Sequence, residues 1–450
     1  MLDSTSLSNR NRSINRQKPP LSAESNAISN AKHPRCIIYR QFSEALQWFN
    51  IHEFPNTLIF SSLTAIVLLL LVVLADKCNQ SVDFALPAPP TLTGALSPNR
   101  LLSNGDRLLE GVLYGPESLA LHISSDFVYT GLKTGHIVGL KMEKNRYGME
   151  IVHKFEPIND VQGCDGSYLM QPLCGRPLGL RFRKHNTNVL LVADAYHGLY
   201  ELDIRDGKRT MILSNGTQLW NASNALPLRH FNDFDETEDG KIILSEPSMK
   251  FSDRDCLYAM NEHGADGRVL VFDERKRRLS VLIDRLQYPN GIQLTTDQRC
   301  VLIAEMGNLR ILKHCFDSNP SSNYSTLADN LPGYPDNIRL AMTGSLWIPL
   351  GQVRLDDDRW ITTRPWLRNL VAVLFPQWLF ATLLDWLNPM YGMVLLMHPE
   401  NGSIIESFHD AHGETITSIS HVLEIGNDTI LLGGDDNNFL VQLNTSKHRN

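Results

Sequence analysis

Five side chains that carry oxygen stand beside turn residues, well apart along the chain. They are Glu117 in YGPESLAL, Asn232 in FNDFDETEDGK, Asn290 in YPNGIQL, and the adjacent Asp336 and Asn337 in GYPDNIRL. Brought together, two carboxylates and two amides, with Asn337 alongside, would offer hard oxygen ligands and negative charge. That is the chemistry of a Ca²⁺ site, which takes about six to eight oxygens and leaves some to water or substrate. Spacing alone leaves a plainer reading open: Asn-Gly or Asp-Asn after Pro often does no more than close a turn. Other chemistries find no motif here. The chain has no Gly-x-Ser-x-Gly elbow, His-Glu-x-x-His helix, Cys-x-x-Cys pair or phosphate-binding loop, which disfavours elbow-type serine hydrolases, zinc proteases and nucleotide enzymes.

Something must bring residues so far apart to one place. Short apolar runs, each followed by small or acidic residues, a turn and a second run, recur six times. They are DFVYTGLKTGHIVGL (126–140), VLLVADAYHGLYELD (189–203), KIILSEPS with GRVLVFD (241–273), CVLIAEMGNLRILKH (300–314), SLWIPLG with MVLLMHP (345–399) and TILLGGDDNNFLVQLN (429–444). The spacing averages about 60 residues, longer than the ~40–50 of common propeller repeats. One four-stranded blade per repeat predicts an all-β, six-bladed β-propeller over 106–447, in which the innermost strands line a central channel. Stacked β-sandwiches would not repeat one hairpin six times, and the 10–15-residue helical segments of a parallel α/β fold are missing. With 29 Gly, 23 Pro and 8% aromatics in 450 residues, the composition suits a turn-rich β protein. A formal net charge of −7 argues against nucleic acid as a partner.

The first quarter of the chain differs. Residues 1–56 hold seven basic and four acidic residues without periodicity and read as a disordered cytosolic tail. Residues 57–75, TLIFSSLTAIVLLLLVVLA, carry no charge over nineteen positions, which fits a transmembrane helix through a core ~30 Å thick. Fifty-six preceding residues are too many for the n-region of a signal peptide. Residues 76–105, with Pro87, Pro89, Pro90 and Pro98, read as an extended stalk. Glycosylation sequons fall at Asn79, Asn215, Asn221, Asn323, Asn401, Asn427 and Asn444, all after the span, and only at Asn11 before it. The expected topology is type II, with the propeller lumenal or extracellular at the plasma membrane or endoplasmic reticulum.

The seven cysteines suit such a compartment. Cys164 and Cys174 bracket a short loop and could form a local disulfide. A Gly307-Asn308 hairpin turn would set Cys300 opposite Cys315, for a bridge across adjacent strands or two buried thiols. Cys36 would be cytosolic, Cys78 sits at the membrane exit, and Cys256 has no obvious partner. One stretch breaks the β pattern: residues 365–391, PWLRNLVAVLFPQWLFATLLDWLNPMY, are apolar and helical in character, with Trp366, Trp378 and Trp386. They read either as an inserted helix pair on a blade or as an interfacial anchor.

CGRPLGLRF (174–182), LLVADAYHGLYELD (190–203), FNDFDETEDGKIILSEPS (231–248), DGRVLVFD (266–273), YPNGIQL (288–294), GYPDNIRLAMTGSLWIP (333–349) and RPW (364–366) together resemble the strictosidine synthase-like family of six-bladed propellers. The likeness covers roughly 106–445. It implies a channel Ca²⁺ held at the positions of Glu117, Asn232, Asn290 and Asp336, with Asn337 adjacent, as in the similar paraoxonases and gluconolactonases. It also implies a local disulfide between Cys164 and Cys174. The plant synthases use a glutamate near the start of the last blade; the corresponding stretch here is SISHVLEIGNDTILLGG (418–434), with His421 close to that position and Glu424 three residues on. Condensation of an amine with an aldehyde is therefore not expected. The reaction implied is Ca²⁺-dependent hydrolysis of a small-molecule ester or lactone, with Asp336 or a bound water as base or nucleophile. His421, whose unperturbed pKa is ~6.5, is the candidate proton shuttle. The rival expectation is a non-enzymatic cell-surface propeller that binds protein partners and keeps calcium as a structural plug.

Overall fold

The computed structural model describes residues 81–445 apart from 143–147, 160, 223, 318–323, 355–358, 388–389 and 427, together with Thr64, Ile66 and Val67. The apolar segment 57–75 lies outside them except for those last three residues, which are helical. The tail 1–56, Cys36, Cys78, and the sequons at Asn79, Asn323 and Asn427 lie outside as well. No helix among the described residues is long and apolar enough to cross a membrane.

Six antiparallel sheets form the predicted propeller. Blade 1 is Leu119–Leu121, Phe127–Gly131, Ile137–Met142 and Met149–Phe155. Blade 2 is Pro177–Arg183, Asn186–Asp194, Gly198–Asp203 and Arg209–Ser214. Blade 3 is Phe234–Glu236, Lys241–Glu246, Gly267–Asp273 and Arg278–Leu286. Blade 4 is Pro289–Leu294, Cys300–Glu305, Arg310–Cys315 and Ser325–Ala328. Blade 5 has a broken inner strand, Gly333–Pro335 and Arg339–Leu340, then Leu346–Val353, Gly392–Met397 and Ile404–Asp410. Blade 6 is His421–Gly426, Thr429–Gly433 and Leu440–Asn444. Its fourth strand is Asp106–Leu108, which pairs antiparallel with Leu440–Gln442 and closes the ring.

The six hairpins expected from sequence are the second and third strands of the blades. They are legible because both faces of such a strand are covered by neighbouring blades, so the run is continuously apolar. Leu191, Leu199, Phe231, Phe234 and Leu270 fill the space between blades 2 and 3. Leu302, Ile311, Ile348 and Met393 do the same between blades 4 and 5. The outer strand Met149–Phe155 instead alternates half-buried and exposed positions, as a sheet edge with one wet face should.

Both expected disulfides are present, Cys164–Cys174 and Cys300–Cys315. The second lies in the expected register, Cys300 opposite Cys315. Its hairpin closes differently, through a 3₁₀ turn over Met306–Asn308 with Leu309 left-handed at φ 53°, rather than through a two-residue Gly-Asn turn. Cys256 is a free thiol, and burial raises its pKa.

Residues 81–105 do not stand off the propeller as a free stalk. Their prolines keep the backbone extended and remove donors, and the propeller satisfies the carbonyls that remain. Arg354 Nη1 donates to Pro87 O at 2.7 Å and Asn330 Nδ2 to Ala88 O at 3.0 Å. Leu92 and Leu96 rest on the core between blades 4 and 5, and Leu102 is fully buried. Asn99 Nδ2 then donates to Ser407 O at 2.8 Å.

His409 helps to hold this strap. Its backbone N–H donates to Asn99 Oδ1 at 3.0 Å, and its ring lies 2.7 Å from both Tyr391 Oη and Ser407 Oγ. Ser407 Oγ donates onward to Ala95 O, so it accepts from His409 Nε2–H, and Nδ1 accepts from Tyr391. The imidazole must therefore be neutral, and burial lowers its pKa to about 4. Between about pH 6.5 and pH 4 the unfolded chain binds the proton that the folded chain refuses, so stability falls with pH across that window. The loss from this residue is expected to be on the order of 3 kcal/mol. Melting curves from pH 7 to pH 4 for the protein and for His409→Gln check it: the variant should melt lower at pH 7 and respond less to acid.

Candidate metal centre in the channel

Each inner strand starts at one mouth of the channel and runs toward the other, so residues that enter these strands form a ring at the first mouth. Glu117 lies just before Leu119–Leu121 of blade 1, and Asn232 just before Phe234–Glu236 of blade 3. Asn290 is in Pro289–Leu294 of blade 4, and Asp336 and Asn337 fill the break in the inner strand of blade 5. All five are buried. Close backbone approach brings blades 4 and 5 together there: a Cβ on Gly291 would collide with the carbonyl of Asp336, so only glycine fits. Tyr288, ahead of Pro289, is left-handed at φ 52°, a strained conformation for an aromatic residue preceding proline. Asn337 is tied to blade 6, its N–H donating to Ser420 O at 3.1 Å.

The hydrogen-bond account of these residues fails in a consistent way. Asn337 Nδ2 donates to Glu117 Oε1 at 3.3 Å. Glu117 Oε2, Asn232 Oδ1, Asn290 Oδ1, Asp336 Oδ1 and Asn337 Oδ1 are all buried without a hydrogen-bond donor. One orphaned oxygen would be an irregularity; one on each of five residues around a single ring is a pattern that a shared cation would satisfy, since a buried acceptor left unpaired costs about 1–3 kcal/mol. Burial raises the Glu117 carboxyl well above the usual range; Arg176 opposes this and Asp336 adds to it. Burial, then Asp435, raises Asp336 likewise. Carboxylates repelling one another in a dry site are what a divalent ion relieves. The donors are hard oxygens alone, which suits Ca²⁺ and not a thiolate- or imidazole-preferring metal. Among the described residues no three His, Cys, Asp or Glu side chains cluster as a metal site; this ring would rely on two acids and three amides.

Sequence reading missed the groups that surround the ring. Arg176 is fully buried. Its Nη1 donates to Gly115 O at 3.0 Å, Nη2 lies 3.8 Å from Glu117 Oε2, and it pairs with Asp435. Lys133 joins Asp435 and Asp436 at 3.4 and 2.9 Å. His230 Nε2 lies 3.8 Å from Asp253 Oδ1, and both of its ring nitrogens lack a hydrogen bond. Burial, then Arg229, pulls His230 down to about 3, while burial and Asp435 push Asp253 up to about 7. Arg176 does stand in the Cys-Gly-Arg-Pro motif, but its partner Asp435 is 259 residues away.

The other end of the channel is closed by charge. Arg339 grips Asp233 through two bonds, at 2.7 and 2.9 Å. Arg181 Nη2 donates to Ile292 O at 2.7 Å, and Asp235 accepts from Leu294 N at 2.9 Å. Beyond this layer lies a cavity of about 400 Å³ lined by Arg181, Gln293, Arg339, His421 and Glu424 among others. His421 thus borders the far side of the ring. It is fully buried, with Nδ1 3.4 Å from Ser118 Oγ and Nε2 unpaired. Burial, then Arg339 and Arg181, holds it neutral. Glu424 is a clamp between blades: it accepts from Trp347 Nε1 at 2.9 Å and from the Met342 N–H at 2.5 Å. Of the described sequons, Asn215, Asn221 and Asn401 are exposed, whereas Asn444 is half-buried in the last strand.

Residues 232–319 match the model of the strictosidine synthase family, and residues 94–140 match that of the strictosidine synthase-like N-terminal region. The chain is 34% identical over 368 residues to adipocyte plasma membrane-associated protein of Salmo salar, covering 81% of this chain and 83% of the relative. It is 34% identical over 341 residues to the Homo sapiens protein of the same name, covering 75% and 77%. Among solved structures, a calcium-binding protein, regucalcin, from Agrobacterium tumefaciens aligns at 13% identity and a TM-score of 0.47, over 75% of this chain and 91% of that one. The motifs around the ring, the six blades and the full-length relatives agree: the chain belongs to the strictosidine synthase-like family, with the adipocyte plasma membrane-associated proteins.

Proposed function

We propose that this protein is a membrane-anchored, Ca²⁺-dependent hydrolase of small esters or lactones, its reaction centre at the channel mouth. The observation that carries the reading is the set of five orphaned oxygens on Glu117, Asn232, Asn290, Asp336 and Asn337. When bound, calcium would polarise the substrate carbonyl and stabilise the charge that develops on its oxygen. The chain's own groups do the rest. Arg176 orients Glu117 and balances part of its charge. Asp336 is the proposed base: a Cβ at Gly351 would stand 3.1 Å from its Oδ2, so the glycine keeps that edge of the carboxylate open to a water. His421, held neutral, can relay a proton but cannot supply a fixed charge. The anchor is the apolar segment 57–75 in type II topology, a reading supported by the exposed sequons and by the plasma membrane in the relatives' names.

The test is hydrolysis of aryl esters and lactones by the purified protein in calcium and in excess chelator, with Asn232→Ala as control. Turnover should vanish with chelator and fall by about 100-fold or more in the variant. Absence of turnover while calcium still raises the melting temperature would sink the enzyme reading and leave a calcium-stabilised propeller that binds partners.

A further inference from the structure

Among the described residues, the segment between the second and third strands of blade 5 contains three helices. Numbering helices from the N-terminal side of the propeller, with α1 at Gln171–Cys174 and α2 at Cys256–Glu262, these are α3 (Arg359–Thr362), α4 (Pro365–Leu374) and α5 (Gln377–Leu387). By the antiparallel order of the blades, this segment and α2 both sit at the mouth where the five oxygens gather, and α4 and α5 rest on α2.

A helix on a protein surface normally turns its apolar side in and its polar side out. Helix α4 does the reverse. Arg368 and Asn369 are each only 2% exposed, while Trp366 is 49% and Leu374 39% exposed. Trp378, at the start of α5, is 66% exposed. The inward polar residues are held by the protein: Arg368 donates through both Nη atoms to Asn261 O and Val82 O and covers the Phe84 ring, and Asn369 Oδ1 accepts from Ser81 N at 3.2 Å. The polarity of the helix is therefore built in, and its Trp and Leu side chains are aimed away from the protein.

What covers them is indicated by where the chain comes from. Ser81 and Val82 are bonded to α4 itself. The apolar segment ends at residue 75, so only residues 76–80 separate it from this attachment. The six extended steps from residue 75 to Ser81 reach at most ~22 Å. If 57–75 spans the bilayer, α4 stands within that distance of its surface. Trp and Leu at such a depth suit the headgroup boundary, where an amphipathic ring keeps one end wet.

We propose that the outward face of α4 and the start of α5 rests in the headgroup layer of the bilayer that anchors the chain, so that the channel mouth carrying the oxygen ring is turned toward the membrane. This rests on the reading of 57–75 as a span, and the two can fail separately. The full-length protein is reconstituted into phosphatidylcholine nanodiscs with either ordinary or brominated acyl chains, and tryptophan fluorescence is compared with that of a Trp366→Ser, Trp378→Ser double variant. Retention in the membrane pellet after alkaline carbonate extraction reports on the span independently. The expected result is bromine-dependent quenching of which the double variant loses at least half, with both proteins retained in the pellet and melting alike in detergent. Retention with quenching unchanged by the double substitution overturns the docking. So does cross-linking of two copies through positions 366 and 378, which would make a second copy the occupant. Extraction by carbonate overturns the span, and the docking argument with it.

Discussion

Asp336→Asn is expected to raise the melting temperature of the calcium-free protein by a few degrees and to abolish most of the further rise that calcium produces. The two effects have one origin. Without a cation, the Asp336 carboxyl is buried with one oxygen unpaired, and burial, Asp435 and Asp233 all disfavour its charge. An amide of the same shape removes that charge without opening a cavity, so the empty site relaxes. With calcium present, the same change deletes one of two carboxylates in the ring. Affinity should fall by about 100-fold or more, removing at least ~2.3 of the roughly 2.7 kcal/mol of ligand-linked stability at a concentration that had been 100 times Kd. Turnover should fall at least as far, because Asp336 is also the proposed base. Calorimetric melting in chelator and across a calcium titration measures both signs. A lower melting point in chelator would show that Asp336 is satisfied by the protein itself, and the ring would lose its case as a metal site.

Glu117→Gln supplies the contrast that makes the sign informative. Glu117 faces Arg176 at 3.8 Å and receives a bond from Asn337. Neutralising it leaves a fully buried guanidinium with Asp435 as its remaining carboxylate, so relief of repulsion and loss of attraction should nearly cancel in the calcium-free protein. Only the calcium response should resemble that of Asp336→Asn. If both variants behaved alike in chelator, the two acids would be exchangeable parts of a diffuse acidic patch and not members of a ring with Arg176 on one side.

The parts of this molecule that could be read from sequence are those whose cause is local. A strand covered on both faces must be apolar throughout, so VLLVAD and VLIAE announce themselves. The inner strands do not: Leu119–Leu121, Phe234–Glu236 and Arg339–Leu340 are two or three residues long, too short to show a period, and the last two carry acids or arginine where they face the channel. Closure by Asp106–Leu108 depends on a partner more than 330 residues away, beyond any periodicity. The five oxygens were visible because each sits in a turn motif, and the family resemblance gave those turns a common purpose. Arg176, Asp253 and Asp435 were invisible because their partners belong to other blades. Proline content predicted extension for residues 76–105 but could not distinguish a free stalk from a strap whose carbonyls are taken by Arg354 and Asn330. In the same way, the apolar character of 365–391 was plain, while the inward turn of Arg368 and Asn369 was not; composition does not say which face of a helix meets the protein.

The layer that closes the far end of the channel leads to the largest stability effect expected for one substitution, Asp233→Ala. Asp233 is fully buried and holds Arg339 through two bonds, accepts from the Ile292 N–H at 2.8 Å, and lies 4.0 Å from Arg181. Removing it strands one arginine, weakens the hold on a second, and orphans a backbone donor. A buried charge left without its partner costs about 3–5 kcal/mol, against a total stability of only about 5–15 kcal/mol for a typical domain. The pair need not be stabilising for this to hold, since most of the loss is the penalty of an unpaired guanidinium. That distinction can be tested: Asp233→Leu combined with Arg339→Met, which replaces the pair by apolar side chains, should recover most of what Asp233→Ala loses. Urea denaturation of the three variants gives the comparison. If Asp233→Ala cost under about 1 kcal/mol, the value of an exposed ion pair, water would be reaching the layer and the channel would not be sealed below the ring. A sealed floor matters for the proposed chemistry above it, because the pull of a bound cation on a substrate oxygen would be large only where the channel behind it is dry.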